Sequence, residues 1–281
     1  QIEKLIFVTS KDEIQGTQID VSAMEDESIT AGYVDSDKNG KYELYIGSDE
    51  KIYANIDSSY LFANIGIQQI DGFENLNTLN VKNMANMFYN DSKINSLKFG
   101  AKFYTNEVTD MQGMFNGCSS LKTLDFGTLF DTSKVTNMSN MFNNCSSLTK
   151  IDFKDLFNTQ NATTMENMFN NCTGLTTLNL ENTFNTANVT TMKNMFNNCT
   201  KLTTLNLGSN FNTVKVTTTE SMFNNCNTLV SIDLGTKFNT QNVESMKKMF
   251  SNCTALQSLN LGKLFNTSNV TTMESMFENN N

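Results

Sequence analysis

Apolar residues recur along the chain in two rhythms. Met192, Met195, Phe196 and Cys199 stand at i, i+3, i+4 and i+7, the inward stripe of a two-turn amphipathic helix. Leu202, Leu205 and Leu207 follow, the last two alternating at period 2. That stretch is too short for a helix and predicts a brief strand. Both rhythms repeat: the pair Met-Phe begins at 87, 114, 141, 168, 195, 222, 249 and 276, always 27 residues apart without an insertion. A fixed period in this range means a solenoid, in which each unit buries its apolar face against its neighbours.

The ends of the expected helix carry signals of their own. Thr109, Thr163, Thr217 and Thr271 precede Gln112, Glu166, Glu220 and Glu274 by three residues, the spacing of a capping box. Asn144, Asn171, Asn198, Asn225 and Asn252, with Gly117 in another copy, stand just before the cysteine. Asparagine and glycine exchange where the backbone needs positive φ, so this position reads as a left-handed C-cap. Strands are expected around 70, 97, 124, 151, 178, 205, 232 and 259. In register they would make a parallel sheet roughly 38 Å across. Helices about 10 Å wide on the other side would splay the stack. The expected fold is therefore α/β: a leucine-rich-repeat-like curved solenoid of about eight helix-strand repeats, with the sheet on its concave face, over 59–281.

Residues 1–58 lack the repeat register. Tyr42, Leu44 and Ile46 alternate in "KYELYIG", and "KIYANI" is a second strand candidate, so this segment reads as a small β-rich N-terminal cap. Charge supports the division. Residues 1–75 hold 15 acids and 5 lysines, whereas the rest holds 14 acids and 15 lysines, and the net charge is −9. An acidic outer face suits a cap that keeps a solenoid end soluble.

Composition narrows the chemistry. There is no histidine, the commonest general base and metal ligand, and no motif of a hydrolase or nucleotide-binding site. The chain reads as a non-enzyme with no cofactor. No basic cluster suits nucleic acid, and no apolar run is long enough to span a bilayer.

Three features admit more than one chemistry. The six cysteines, 118, 145, 172, 199, 226 and 253, lie 27 apart. Equivalent positions form a line, whereas zinc needs ligands converging on a point. Disulfides between neighbours are an alternative, since adjacent coils lie within bridging range. The favoured reading is a small buried side chain, with Asp91 and Asn280 replacing it in the outermost copies because burial there would be incomplete. The Met-x-x-Met-Phe stripe reads as core in preference to a copper site. "DSDKNG" at 35–40 places Asp35, Asp37 and Asn39 at the first three ligand positions of a calcium loop, but Ile46 stands where a bidentate Glu is needed. A hairpin turn is the favoured reading and a calcium site the alternative.

The polar residues between the strand leucines form the candidate binding face. Thr123, Lys150, Thr177, Thr204, Ser231 and Ser258 make one ladder, and Asp125, Asp152, Asn179, Asn206, Asp233 and Asn260 the other. Solenoids commonly bind along such a face; short side chains on a tight solvated sheet are the alternative.

The Leu-x-x-Leu-x-Leu stretch resembles a leucine-rich repeat. The fuller phrase "FNTANVTTMKNMFNNCTKLTTLNL" at 184–207 is similar to the BspA-like leucine-rich-repeat surface proteins of bacteria. It departs from the general leucine-rich pattern where Leu129, Thr183, Asn210 and Lys237 stand in place of a regular Asn or Cys, so the usual asparagine ladder is not expected. The resemblance implies an exported or cell-surface protein acting in adhesion or protein binding, its partner an unknown macromolecule such as a host extracellular protein or glycan. A structural stalk that spaces another domain from the cell is the alternative. The chain opens on "QIEKLIF" and stops at "FENNN" in mid-repeat, which reads as a trimmed or mature fragment whose signal and anchor lie outside it.

Overall fold

The computed structural model describes residues 1–153, 155–180 and 183–280. Each 27-residue coil stacks on the next, but the Met-x-x-Met-Phe segment is not a helix. Among the described residues the only helical elements are two 3-10 turns, Lys11–Glu13 and Phe73–Asn75. In residues 192–199, Met195 N–H bonds Met192 C=O (3.2 Å), Asn197 bonds Asn194 (3.1 Å) and Cys199 bonds Phe196 (3.2 Å). The alternate amides leave the coil: Met192, Asn194, Phe196 and Asn198 donate to Thr218, Glu220, Met222 and Asn224 at 2.9–3.2 Å. Three linked turns thus replace the helix, and half of the amides that a helix would use internally tie adjacent coils together.

The third residue of the first and last turn has positive φ, 56° at Asn194 and 59° at Asn198, as a type II turn requires. Asparagine tolerates that region better than other side chains. The left-handed expectation for Asn144, Asn171, Asn198, Asn225, Asn252 and Gly117 is met, with φ of 59–82°, although a turn rather than a helix end demands it. The capping boxes are absent. Thr163 donates its hydroxyl to Thr136 C=O of the previous coil (3.0 Å) and Thr190 to Thr163 C=O (3.1 Å).

The inward stripe survives the change of backbone. Met192, Met195, Phe196 and Cys199 are all completely buried. The phenylalanines of this segment stack from Phe88 to Phe277 with centroids 5.4–5.7 Å apart. Such pairs add about 0.5–1.5 kcal/mol beyond the area they bury. Parallel bridges run down the same side, from Asp57↔Asn83 to Ser245↔Thr272. Backbone spacing there is that of a sheet, about 4.8 Å. The expected cause of curvature, a 10 Å helix opposing a 4.8 Å strand, is therefore missing.

Short strands occupy seven of the eight expected positions: β6 (Gln69–Asp71), β8 (Ser96–Lys98), β9 (Thr123–Asp125), β10 (Thr177–Asn179), β11 (Thr204–Asn206), β12 (Ser231–Asp233) and β13 (Ser258–Asn260). Ile151 lies in no strand. In place of one continuous sheet, β8 pairs with β9, β10 with β11 and β12 with β13. Pairing is parallel and in register, Leu178 opposite Leu205 and Ile232 opposite Leu259.

The N-terminal segment contributes β1 (Ile2–Val8), β2 (Thr17–Asp20), β3 (Thr30–Val34), β4 (Tyr42–Gly47) and β5 (Ile52–Tyr53). Four of these and β6 form a sheet in the order β2-β3-β4-β1-β6. The repeat array thus supplies one edge strand of the N-terminal sheet, and β5 pairs with β7 (Leu76–Asn77) in the same way.

Candidate functional site

Three-residue strands expose their flanks and turn the middle residue inward. Thr177 and Asn179 are exposed around buried Leu178, and Ser231 and Asp233 around buried Ile232. The two ladders therefore exist where strands pair: Thr177 lies opposite Thr204, Asn179 opposite Asn206, Ser231 opposite Ser258 and Asp233 opposite Asn260. Thr123 and Asp125 face Ser96 and Lys98 of β8. Lys150 and Asp152 are exposed but lie outside any strand.

The second ladder also shapes the backbone. Asp125 Oδ1 accepts the N–H of Gly127 (3.0 Å), Asn206 that of Gly208 (3.0 Å), Asp233 that of Gly235 (2.9 Å) and Asn260 that of Gly262 (3.1 Å). Each glycine has φ of 65–77°, which an L side chain adopts only at a cost. Asp and Asn recur here because a short side chain can turn the chain sharply at the strand end. Asn260 also donates to Asp233 Oδ1 (3.1 Å), linking two coils.

Beyond the strand ends run shallow grooves. One of about 790 Å³ is edged by Lys98, Asp125, Asp152, Asp155 and half-exposed Leu156, over Phe99, Phe130 and Phe153. A second, about 690 Å³, is edged by Asp233, Thr236, Asn260, Lys263 and Leu264. The second ladder borders these grooves, whereas the Thr and Ser positions stand on the strand face beside them.

The cysteines belong to the core. All six are free and buried. Each thiol donates to a phenylalanine carbonyl 30 residues earlier, Cys118 to Phe88 (3.1 Å) and Cys199 to Phe169 (3.3 Å). Burial pushes the thiols of Cys172 and Cys253 up to about 12, far from the thiolate that metal binding or nucleophilic chemistry requires. The explanation offered for Asp91 does not hold, because Asp91 is completely buried. Its Oδ1 accepts Gly66 N–H (3.0 Å) and its Oδ2 has no partner. Burial raises its carboxyl to about 7. Asn280 is half-buried, and its amide donates to Phe250 C=O (2.9 Å) as a cysteine thiol would.

Asp35, Asp37 and Asn39 lie in the hairpin joining β3 to β4. Asp35 accepts the N–H groups of Asn39 and Gly40 (both 3.0 Å), and Asn39 Oδ1 accepts that of Lys41 (2.8 Å). These oxygens organise the turn. Among the described residues no set of three His, Cys, Asp or Glu groups converges to hold a metal ion.

Buried threonines and stacked asparagines form further polar ladders that hydrophobic periodicity does not mark. Thr105, Thr132, Thr159, Thr186, Thr213 and Thr240 are buried, and each donates its hydroxyl to a carbonyl of the next coil at 2.6–2.9 Å. Their signal in the sequence is the recurring "FNT". Asparagine ladders do occur, away from the position expected of a leucine-rich repeat: Asn197 donates to Asn170 (2.9 Å), Asn224 to Asn197 (2.9 Å) and Asn225 to Asn198 (2.7 Å).

Among solved structures the chain is similar to a leucine-rich repeat protein from Eubacterium ventriosum, at 14% identity over 77% of each chain with a TM-score of 0.31. It is also similar to a leucine rich cell surface protein from Faecalibacterium prausnitzii, at 14% identity over 92% of this chain and 88% of that one, TM-score 0.27. A third likeness is to the protein of a TLR13–ssRNA13 complex, at 16% identity over 75% of this chain and 34% of that one, TM-score 0.28. No curated protein matches. Among the described residues no helix is long and apolar enough to cross a membrane. One family profile matches residues 56–178, 147–260 and 204–281, which together take in every repeat, and the chain accordingly belongs to the family described as Mycoplasma protein of unknown function, DUF285.

Proposed function

We propose that this protein is a non-enzymatic, exported bacterial repeat protein that binds a macromolecule, such as a host extracellular protein or glycan, by multivalent contact along its strand face. The supporting observation is the coincidence of one polar ladder with the grooves: Asp125 and Asp152, in adjacent coils, border one, and Asp233 and Asn260, also in adjacent coils, border the other. Repetition lets weak contacts sum through effective concentration. The division into a cap at 1–58 and an array at 59–281, and display at the cell surface, belong to this reading.

The Asp and Asn rungs also turn the chain, so the test falls on the other ladder. Thr177, Thr204 and Ser231 are replaced together by Glu, and binding is measured on immobilised extracellular-matrix proteins and a glycan array. A ligand of the intact protein that loses at least tenfold affinity for the variant supports the strand face. Unchanged affinity for every ligand found removes it.

A stalk is the second reading, favoured by bridges at every coil from Asp57 to Thr272. Such a ladder resists bending, and a spacer would bind none of the immobilised ligands.

A further inference from the structure

The N-terminal sheet has an edge that no strand covers. At one end of the order β2-β3-β4-β1-β6 the array continues the sheet through β6; at the other, β2 pairs only with β3. The register places Thr17 opposite Tyr33 and Ile19 opposite Ala31, and Val21 N–H donates to Ile29 C=O (3.0 Å) in continuation. Odd-numbered residues of β2 are therefore those bonded to β3. By the alternation of an antiparallel ladder, Gln18 and Asp20 aim their N–H and C=O groups at the open edge. All of β2 is exposed, with Ile19 50% and Val21 44% accessible beside it.

The charge around this edge is mainly negative, although the Lys11 ammonium reaches its C-terminal end and donates to Glu27 C=O (3.3 Å). Residues 12–37 contain eight acids and no lysine. Asp20 lies on the strand itself, and Glu25, Asp26 and Glu27 follow at its C-terminal end. Charge on an edge strand normally guards against pairing. A guard that is mostly of one sign is selective: it repels a second copy of this chain and attracts a strand of opposite charge.

We propose that β2 is a strand-addition site for an extended, lysine- or arginine-bearing polypeptide segment. The segment's backbone bonds Gln18 and Asp20, its alternate apolar side chains lie against Ile19 and Val21, and its cations face the surrounding carboxylates. The site is separate from the strand face of the array, so either reading can fail alone.

The probe is a labelled octapeptide of alternating lysine and valine, with a glutamate–valine peptide as counterpart, added to the whole chain. The lysine peptide binds at low salt and weakens steeply as salt rises, the glutamate peptide does not bind, and amide exchange at Gln18 and Asp20 slows in the complex. Gln18→Pro removes an outward N–H while leaving the bonds to β3 in place, and it lowers affinity at least tenfold. A lysine peptide N-methylated at the amides that would face the edge loses a similar factor on the unmodified protein, which covers the case in which Gln18→Pro disturbs the fold. The proposal is overturned by absence of binding at millimolar peptide, by unchanged affinity with either alteration, by protection confined to β8–β13, or by dimers formed through β2.

Discussion

Thr186 and Asn212, in adjacent coils, hold each other in both directions: the Thr186 hydroxyl donates to Asn212 C=O at 2.7 Å and accepts Asn212 N–H at 2.7 Å. Thr186 is completely buried. Thr186→Val keeps the shape and leaves both backbone groups of Asn212 short of a partner. The expected cost is about 1–3 kcal/mol, read as a lower urea midpoint with an unchanged slope. Thr186→Ser should retain most of the stability, and equal midpoints for Val and the parent would remove the ladder from the account of what joins the coils.

Asn198 distinguishes a turn from a helix. Its φ is 59°, and its side chain donates to Asn171 Oδ1 (2.8 Å) and accepts from Asn225 (2.7 Å). Asn198→Ala puts the best helix former at a left-handed position and breaks the ladder, so stability should fall by roughly 1–2 kcal/mol. Asn198→Gly relieves the backbone but loses the ladder and should fall between the two. A more stable alanine variant, or a helical far-ultraviolet spectrum, would favour the helix.

The six thiols should resist alkylation in the folded protein and react together in denaturant, since all are buried and burial raises their pKa. Counting labelled thiols by mass against time measures this. Rapid native labelling of all six would contradict the core position.

Asp91 should make stability depend on pH. Its carboxyl is raised from 3.8 to about 7 in the folded state by burial, so folding favours the protonated form. The groups facing it are the Gly66 amide at Oδ1, the Ile65 amide and the buried Cys118 thiol of the next coil. Its contribution is fully present below about pH 4, is lost as pH rises through about 7, and is flat above that. Each unit is worth about 1.4 kcal/mol, giving a loss of up to ~4 kcal/mol. Asp91→Cys restores the residue of the other coils. Its stability relative to the parent should therefore rise between pH 4 and pH 8, and a pH-independent difference would show that Asp91 is ionised throughout.

The Lys193–Glu220 and Lys247–Glu274 pairs, at 3.2 and 2.8 Å across neighbouring coils, contribute little because their side chains remain in contact with solvent. Lys247→Ala should leave the urea unfolding midpoint nearly unchanged at physiological salt. A larger loss would mean that surface charge, and not the buried ladders, carries the coupling between coils.

Much of this protein follows from its sequence alone. The constant step from Met87 to Met276 determines the stacking, the positions of Met192, Met195, Phe196 and Cys199 determine what is buried, and the Asn or Gly before each cysteine marks positive φ. The alternation around Leu178 and Ile232 places the exposed ladders. Tertiary structure decided the backbone that carries the stripe. A chain of three turns sends i, i+3, i+4 and i+7 inward as a helix does, so periodicity cannot separate the two; the carbonyls of Glu220 and Met222, waiting for Asn194 and Phe196 one coil away, do so. The same non-local neighbours bury Asp91 and convert the threonine of "FNT" into a buried clamp. They also divide the strands into pairs, because each choice depends on the coil stacked alongside.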